Sequence, residues 1–130
     1  MFYDFSFTIP ANTPITAQVT RTCLVSPGCV DRVMVIFPTG CAALVHVRIL
    51  RATHQLWPSN LDGAFASESE FLDFVENYPL DDPPFEFILS GWNEDDTYFH
   101  TIIVRFNIIL VERDKKKGVA DQLRSRFGLT

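Results

Sequence analysis

One segment of the sequence alternates cleanly between apolar and polar side chains and a longer one largely follows the same pattern, and this period of two constrains the fold more than any other feature. The first runs from residue 3 to residue 9 and the second from residue 97 to residue 111. Successive side chains of a β-strand point to opposite faces of a sheet, so this alternation predicts half-buried strands. The positions expected to face inward are Tyr3, Phe5, Phe7 and Ile9 in the first segment and His100, Ile102, Val104, Phe106, Ile108 and Leu110 in the second.

The length of the second segment predicts a central strand, or one that bends between two sheets. Residues 30–37 and 43–50 have the composition of two further strands, and the Pro38–Cys41 stretch between them predicts a hairpin. Val33, Val35 and Phe37 are expected to face inward, as are Val45, Val47 and Ile49.

The opposite faces of this predicted hairpin are also partly apolar. Met34, Ile36 and Leu44 are expected to point outward, beside Arg48. An apolar outer face next to arginines is typical of a protein-binding surface. The alternative is that these side chains pack against a second layer of the same domain.

The remaining segments carry weaker signals. Residues 15–25 are rich in Thr and Val and predict a polar strand at a sheet edge, and residues 85–92 predict another strand. Residues 51–69 lack a period and predict a long loop. Residues 67–78 fit either a strand or a short helix capped by Ser69, and the Phe and Val content favours the strand.

About seven or eight short strands without interleaved helices predict an all-β protein, an antiparallel β-sandwich or jelly roll. A chain of 130 residues accommodates one core. We expect the sandwich to span residues 1–112 and a basic tail to span residues 113–130.

Charge is distributed unevenly between these two parts. Residues 1–110 hold 13 acidic and 5 basic residues, a net charge of −8, whereas residues 111–130 hold 3 acidic and 6 basic residues, a net charge of +3. An acidic body argues against nucleic-acid binding, which depends on an extended basic surface. No uninterrupted apolar run is long enough to cross a membrane, and residues 1–10 do not resemble a signal peptide, so we expect a protein made in the cytoplasm.

The tail itself permits two interpretations. Its lysines are Lys115, Lys116 and Lys117, and Val119, Leu123 and Phe127 follow at a spacing of four residues. Terminal segments often have no fixed structure. Alternatively, this segment is an arm whose apolar residues bind a neighbouring subunit.

No motif for catalysis, a metal or a cofactor is present. The three histidines lack the spacing of a metal site, and Asn93–Asp96 fits a solvated turn better than a calcium loop. We therefore expect a protein that is not an enzyme and needs no cofactor. The three cysteines are expected to be free thiols, with a Cys23–Cys29 bridge as the alternative.

Several stretches resemble the small β-sandwich accessory proteins that decorate the capsid or tail of tailed bacteriophages. The resemblance spans roughly residues 2–110 and is carried by residues 33–41 running into 44–50, by Leu56–Asn60 and by Gly91–Thr101. It implies a non-enzymatic virion protein, made in the host cytoplasm, that forms symmetric homo-oligomers.

We therefore expect a virion structural protein that binds coat or tail subunits, without nucleic acid or membrane partners. The alternative is a carbohydrate-binding or adhesin module, in which Trp57 and Trp92 would stack on sugars. The residues expected to bind a partner are Met34, Ile36, Leu44, Arg48, Trp57, Lys115, Lys116, Lys117, Val119, Leu123 and Phe127.

Overall fold

The computed structural model describes residues 1–110, which form eight β-strands and one short 3-10 helix, Ile15–Ala17. The strands are β1 (Phe2–Ile9), β2 (Val19–Leu24), β3 (Gly28–Phe37), β4 (Val45–Arg51), β5 (His54–Trp57), β6 (Glu70–Leu80), β7 (Glu86–Asn93) and β8 (His100–Ile109). Residues 111–130 lie outside the described part of the chain, and with them lies the whole predicted tail.

The strands form two four-stranded antiparallel sheets. The first sheet has the order β1-β8-β3-β6, and the second has the order β2-β7-β4-β5. The pairs β1–β8, β2–β7, β3–β6 and β4–β5 are those of one long hairpin folded over on itself. This is the strand order of a jelly roll, so the predicted fold class is confirmed.

The predicted hairpin between β3 and β4 is wrong. β3 pairs with β6 and β8 in the first sheet, whereas β4 pairs with β5 and β7 in the second. The Pro38–Cys41 stretch therefore crosses from one sheet to the other. Alternation within a strand specifies which side chains face the core, but it does not specify the neighbouring strand.

The crossing after β3 depends on a distant carboxylate. Ala42 and Ala43 both have positive φ angles, of 50° and 57°, a conformation that alanine seldom adopts. The Glu68 carboxylate accepts hydrogen bonds from the backbone N–H groups of Gly40 (3.0 Å) and Ala42 (2.7 Å). These bonds hold the crossing in place and lower the pKa of Glu68.

The core lies between the two sheets, and the predicted inward residues of β3 and β4 are confirmed. Each of these six side chains is buried, as are the inward residues of β8 from His100 to Ile108. Phe87 and Phe106 stack at the centre with ring centroids 4.7 Å apart. Leu110 was expected to face inward but is exposed, because it lies beyond the end of β8.

Some of the remaining predictions are confirmed and others are wrong. β6 is a strand, β2 lies at a sheet edge and β8 lies between two neighbours, as predicted. The predicted loop at residues 51–69 is wrong in part, because it contains β5. The alternative Cys23–Cys29 bridge is not formed: Cys23 belongs to the second sheet and Cys29 to the first, and both are free. Within residues 1–110 no helix is long and apolar enough to cross a membrane.

Candidate binding site

Met34 and Ile36 lie on the outer face of the first sheet, but Met34 is not the exposed contact residue that was predicted. It is only 7% exposed, since it lies in a central strand opposite Asp73 on one side and Arg105 on the other. A long arginine side chain such as that of Arg105 covers apolar neighbours with its aliphatic portion. Ile36 is half-buried between Ile103 and Phe71.

Trp57 was predicted as a surface residue and is instead part of the core. Its side chain is 4% exposed, because its position in β5 opposite Ile49 faces inward. The indole Nε1 donates a 2.7 Å hydrogen bond to the Glu76 carboxylate, which satisfies its one donor. The rings that surround it are Phe74, Tyr78, Phe87 and Phe106.

Leu44 and Arg48 lie at different places on the second sheet. Leu44 precedes β4 and is half-buried in the crossing, where its carbonyl oxygen accepts a hydrogen bond from the Glu94 N–H. Arg48 lies on the outer face of β4. The structure therefore does not bring Met34, Leu44 and Arg48 together into one surface.

Arg48 and His46 both contact the ring of Trp92, a set that we call the Trp92 stack. His46 and Trp92 face each other across β4 and β7, with parallel rings whose centroids are 4.6 Å apart. The Arg48 guanidinium carbon lies 4.9 Å from the Trp92 centroid, a distance typical of a cation–π contact. Trp92 is consequently only 8% exposed although it lies on an outer face.

Arg48 is the one arginine in residues 1–110 that has neither a hydrogen bond nor an ion pair. The other four bind backbone carbonyls, a tyrosine hydroxyl or carboxylates, and they are Arg21, Arg32, Arg51 and Arg105. A guanidinium has five N–H donors in a planar fork that matches a carboxylate. Within the described part of the chain, Arg48 therefore has unused capacity to bind an anionic group.

The described part of the chain contains two buried side-chain polar atoms without a hydrogen-bond partner, and both belong to this stack. They are Nε2 of His46 and Nε of Arg48. The His46 Nε2 atom lies 3.5 Å from a Glu94 carboxylate oxygen, close enough for an ion pair but not oriented for a hydrogen bond. Native proteins contain few such atoms, and those that occur often mark functional sites.

Two shallow grooves meet at the Trp92 stack, on either side of Ile15, which is 54% exposed. One has a volume of about 310 Å³ and is lined by Ile15, Thr16, Gln18, Arg48, Leu50 and Ser90. The other has a volume of about 260 Å³ and is lined by Asn12, Thr13, Pro14, Ile15, Trp92, Asn93 and Glu94. These volumes are at or below the lower limit for small-molecule pockets, so they suit single side chains of a macromolecule.

The sequence singled out Arg48 and Trp92 separately, but it did not indicate the stack. Trp92 follows Phe87, Leu89 and Gly91 at odd spacing in β7, which places it on the outer face. That His46 lies opposite Trp92 depends on the register between β4 and β7, and Ile15 reaches the same site through the 3-10 helix. Neither relation is encoded in local alternation.

A second polar cluster lies in the connection between β7 and β8, next to His100. The His100 ring Nε2 lies 2.8 Å from Asp95, and the backbone N–H groups of Thr97 and Tyr98 donate to the same carboxylate. The His100 hydrogen bond is the main cause of the lowered pKa of Asp95, and the two N–H bonds add to it.

Cys41 lies close to this cluster, but it lacks the properties of a nucleophile. Burial raises the pKa of its thiol to about 11, and the nearby carboxylates of Glu68 and Asp95 add to the rise. At neutral pH the thiol is therefore protonated, whereas the reactive species is the thiolate. Among residues 1–110 no group of three or more His, Cys, Asp or Glu side chains is arranged to hold a metal ion. The observed contacts hold the connection between β7 and β8 together.

Comparison with known proteins adds no family to these observations. The chain matches no protein-family model, and no curated protein has significant similarity to its sequence.

Proposed function

We propose that this chain is a non-enzymatic structural protein of a virion, which binds a coat or tail subunit through the outer face of its second sheet. One observation carries the proposal: within residues 1–110 the Arg48 guanidinium has no hydrogen-bond or ion-pair partner, and it lies on Trp92 where two grooves meet. Arginine and tryptophan are the residue types most enriched among those that dominate binding energy at protein interfaces.

The chemistry of the site specifies the part of the partner that it binds. The Arg48 fork suits the carboxylate of an Asp or Glu side chain, and a bidentate pair would use the Nε donor that lacks a partner. Ile15 and Leu50 line the same groove and offer apolar contacts to the aliphatic part of that side chain. We therefore expect the partner segment to present an Asp or Glu side chain to this groove.

The virion assignment rests on analogy at the level of the fold. Jelly rolls are common in viral capsid and lectin domains, although a fold alone does not determine function. One small site per copy gives modest affinity. Repetition of that site around a symmetric particle would combine many modest affinities into firm attachment.

The carbohydrate-binding alternative requires an aromatic ring with an open face for stacking on a sugar. Trp57 is in the core, and Trp92 is covered by His46 and Arg48. The two tryptophans that motivated this alternative thus offer no such face, and we favour a protein partner.

The test compares Arg48 with an arginine that has an internal partner. Particles of the virus that encodes the chain are purified, stripped of it and mixed with recombinant wild-type protein, Arg48→Ala or Arg105→Ala. Arg105 is the matched control, because it lies on the outer face of the other sheet and pairs with Asp4 at 3.1 Å.

We expect Arg48→Ala to weaken attachment by about tenfold or more, as loss of a central interface arginine typically does, while Arg105→Ala attaches like the wild type. Equal attachment of both variants would contradict the proposed site. Absence of the protein from purified particles would contradict the virion role.

A further inference from the structure

Acidic and basic residues are segregated along the chain more sharply than its net charge suggests. Residues 55–99 hold 11 of the 16 acidic residues and no Lys, Arg or His. Residues 111–130 hold 6 of the 11 basic residues, including every lysine. Such complementary blocks attract each other over distances of about 10 Å at moderate salt concentration.

β6 lies in the middle of the acidic block and at the edge of the first sheet. Its only strand partner in the described part of the chain is β3, so its other side has no neighbouring strand over residues 70–76; farther along, the Asn77 N–H bonds the Glu76 carboxylate and Pro79 has no N–H. A long free edge of this kind is a template for pairing with another segment. We call Glu70, Asp73 and Glu76 of this strand the acidic edge.

The carboxylates of the acidic edge are hydrogen-bonded but mostly not neutralised. Glu70 is bonded to the Ser67 hydroxyl and Glu76 to the Trp57 indole, which are neutral donors. Asp73 alone meets a cation, Arg32, at 3.1 Å. The edge therefore keeps a net negative charge that a basic segment would compensate.

β6 also exposes apolar side chains between these carboxylates. Phe71 is 51% exposed and Val75 is 77% exposed, and both lie on the outer face of the sheet. The basic segment carries apolar residues of its own among its charges, namely Val119, Leu123 and Phe127. The two segments thus match in charge and in apolar content.

We propose that the acidic edge of one copy binds the basic C-terminal segment, residues 113–127, of a second copy of this chain. Backbone pairing along β6 supplies affinity that does not depend on sequence, and the lysines specify the acidic edge. Exchange of segments between two copies produces a closed symmetric dimer. This inference does not depend on the function of the Trp92 stack, which lies on the other sheet.

The position at which the chain leaves the first sheet favours a second copy over the same one. β8 ends at Ile109 opposite Cys29, which is itself opposite Pro79 near the end of β6. A C-terminal segment of the same copy would have to turn back along β6. Because its lysines follow so soon after residue 110, they would then lie beside Asn77–Leu80. Of the acidic edge, only Glu76 is next to these four residues, and its carboxylate already bonds the Trp57 indole, while Arg51 already binds the turn that holds Asp82. A segment from a second copy is free to align its lysines with the acidic edge.

The test uses the full-length chain and measures its molar mass by light scattering over a range of concentrations, at low and high salt. We expect a dimer at low salt that dissociates as salt increases. Changing Lys115, Lys116 and Lys117 together to Glu is expected to raise the dissociation constant by about tenfold or more, because attraction becomes repulsion. A second variant, Glu70→Lys with Asp73→Lys, changes the acidic edge itself. Its control is Asp62→Lys with Asp96→Lys, which makes the same change in net charge at loop positions.

Reversing the charges of the acidic edge and of the lysines, separately and together, tests whether these two segments bind each other. The Glu70→Lys, Asp73→Lys protein is expected to lose the dimer, and to regain it when combined with the three Lys→Glu changes, whereas the loop control keeps it. Carbodiimide cross-linking of mixed isotope-labelled and unlabelled copies should join Lys115–Lys117 of one copy to Glu70 or Asp73 of the other. A monomer at all concentrations, cross-links confined to single copies, or failure of the combined variant to regain the dimer would each overturn the proposal.

Discussion

The outer faces of the two sheets differ in the partners of their arginines. On the first sheet, Asp4 pairs with Arg105 and Arg32 pairs with Asp73, each at 3.1 Å. On the second sheet, Arg48 has no polar partner within residues 1–110 and lies on Trp92. The first face satisfies itself through cross-strand ladders, whereas the second retains binding capacity. Internal pairing, and not charge content, thus distinguishes the paired arginines of the first face from Arg48 on the second.

The largest expected effects come from the two covered side chains, one on each face. Trp92→Ala is expected to lower the free energy of unfolding by about 3 kcal/mol and Met34→Ala by about 2 kcal/mol, because the larger ring leaves the larger void. Urea denaturation with a linear extrapolation measures both values. Attachment to particles should be lost in Trp92→Ala and retained in Met34→Ala.

A milder change separates binding from folding at this position. Trp92→Phe keeps an aromatic ring under His46 and Arg48 and should fold with a smaller loss of stability. Its attachment should lie between those of the wild type and Trp92→Ala. If the folded Met34→Ala variant failed to attach to particles, the proposal that the second face and not the first binds the particle would be wrong.

Acidification tests the loop cluster, which belongs to neither face. The pKa of Asp95 is lowered by its hydrogen bond to His100, so the folded state binds a proton less readily than the unfolded state does. The stability that Asp95 contributes is therefore present above its ordinary value of 3.8 and is lost as pH falls below it toward the lowered value. The urea midpoint should decrease from pH 5 to pH 3, and decrease less in Asp95→Asn.

Glu68 provides a check on this assignment. Its pKa is lowered mainly by the backbone N–H groups of Ala42 and Gly40, so it responds to acid in the same direction, starting from its ordinary value of 4.5. Glu68→Gln should flatten the upper part of the same pH range. If the Asp95→Asn and wild-type curves ran parallel, the His100–Asp95 bond would not contribute to stability.

The sequence predicted most of the strands and their inward sides, although it missed β5, and it did not predict the contacts across strands. Val33, Val35 and Phe37 were placed correctly because alternation alone determines which residues of a strand face the core. The crossing after β3 was missed because it depends on a bond from Glu68 to Ala42, far apart in the chain. The Trp92 stack was missed for the same reason, since it requires the register of β4 against β7.

Smaller effects are expected when the two kinds of arginine are replaced by leucine. Arg105→Leu breaks a surface ion pair and should cost up to about 1 kcal/mol. Arg48→Leu loses a cation–π contact but removes a buried donor without a partner, so stability should stay within about 1 kcal/mol of the wild type, on the side of a gain. Thermal and urea denaturation of both variants measure the difference.

Attachment should change in the reverse order. Arg48→Leu is expected to be stable but unable to attach to particles. Arg105→Leu is expected to be less stable but to attach as well as the wild type. A residue kept for binding at the expense of stability shows this signature. A loss of stability in Arg48→Leu greater than that in Arg105→Leu would show that Arg48 serves the fold.

The smallest expected effects compare one neutral hydrogen bond on each face. Thr8 and Thr101 bond across β1 and β8 at 2.8 Å in an exposed position, so Thr8→Val should change stability by less than about 0.5 kcal/mol. Ser90 donates a 2.7 Å bond to the Gln18 side chain in a partly buried position, and Ser90→Ala should cost about 1 kcal/mol. Ser90 and Gln18 line the groove beside Arg48, so their bond also sets the shape of that groove.

Thr8→Val and Ser90→Ala also test which of the two outer faces binds the particle. If the second face is the binding face, Ser90→Ala should weaken attachment severalfold, because Gln18 is released beside Arg48, whereas Thr8→Val should leave attachment unchanged. The opposite order would assign binding to the first face, where Thr8 and Thr101 lie on the rim of the half-buried Ile36 and Ile103. Because both substitutions remove a single hydroxyl bond, the difference between them reports the face and not the chemistry removed.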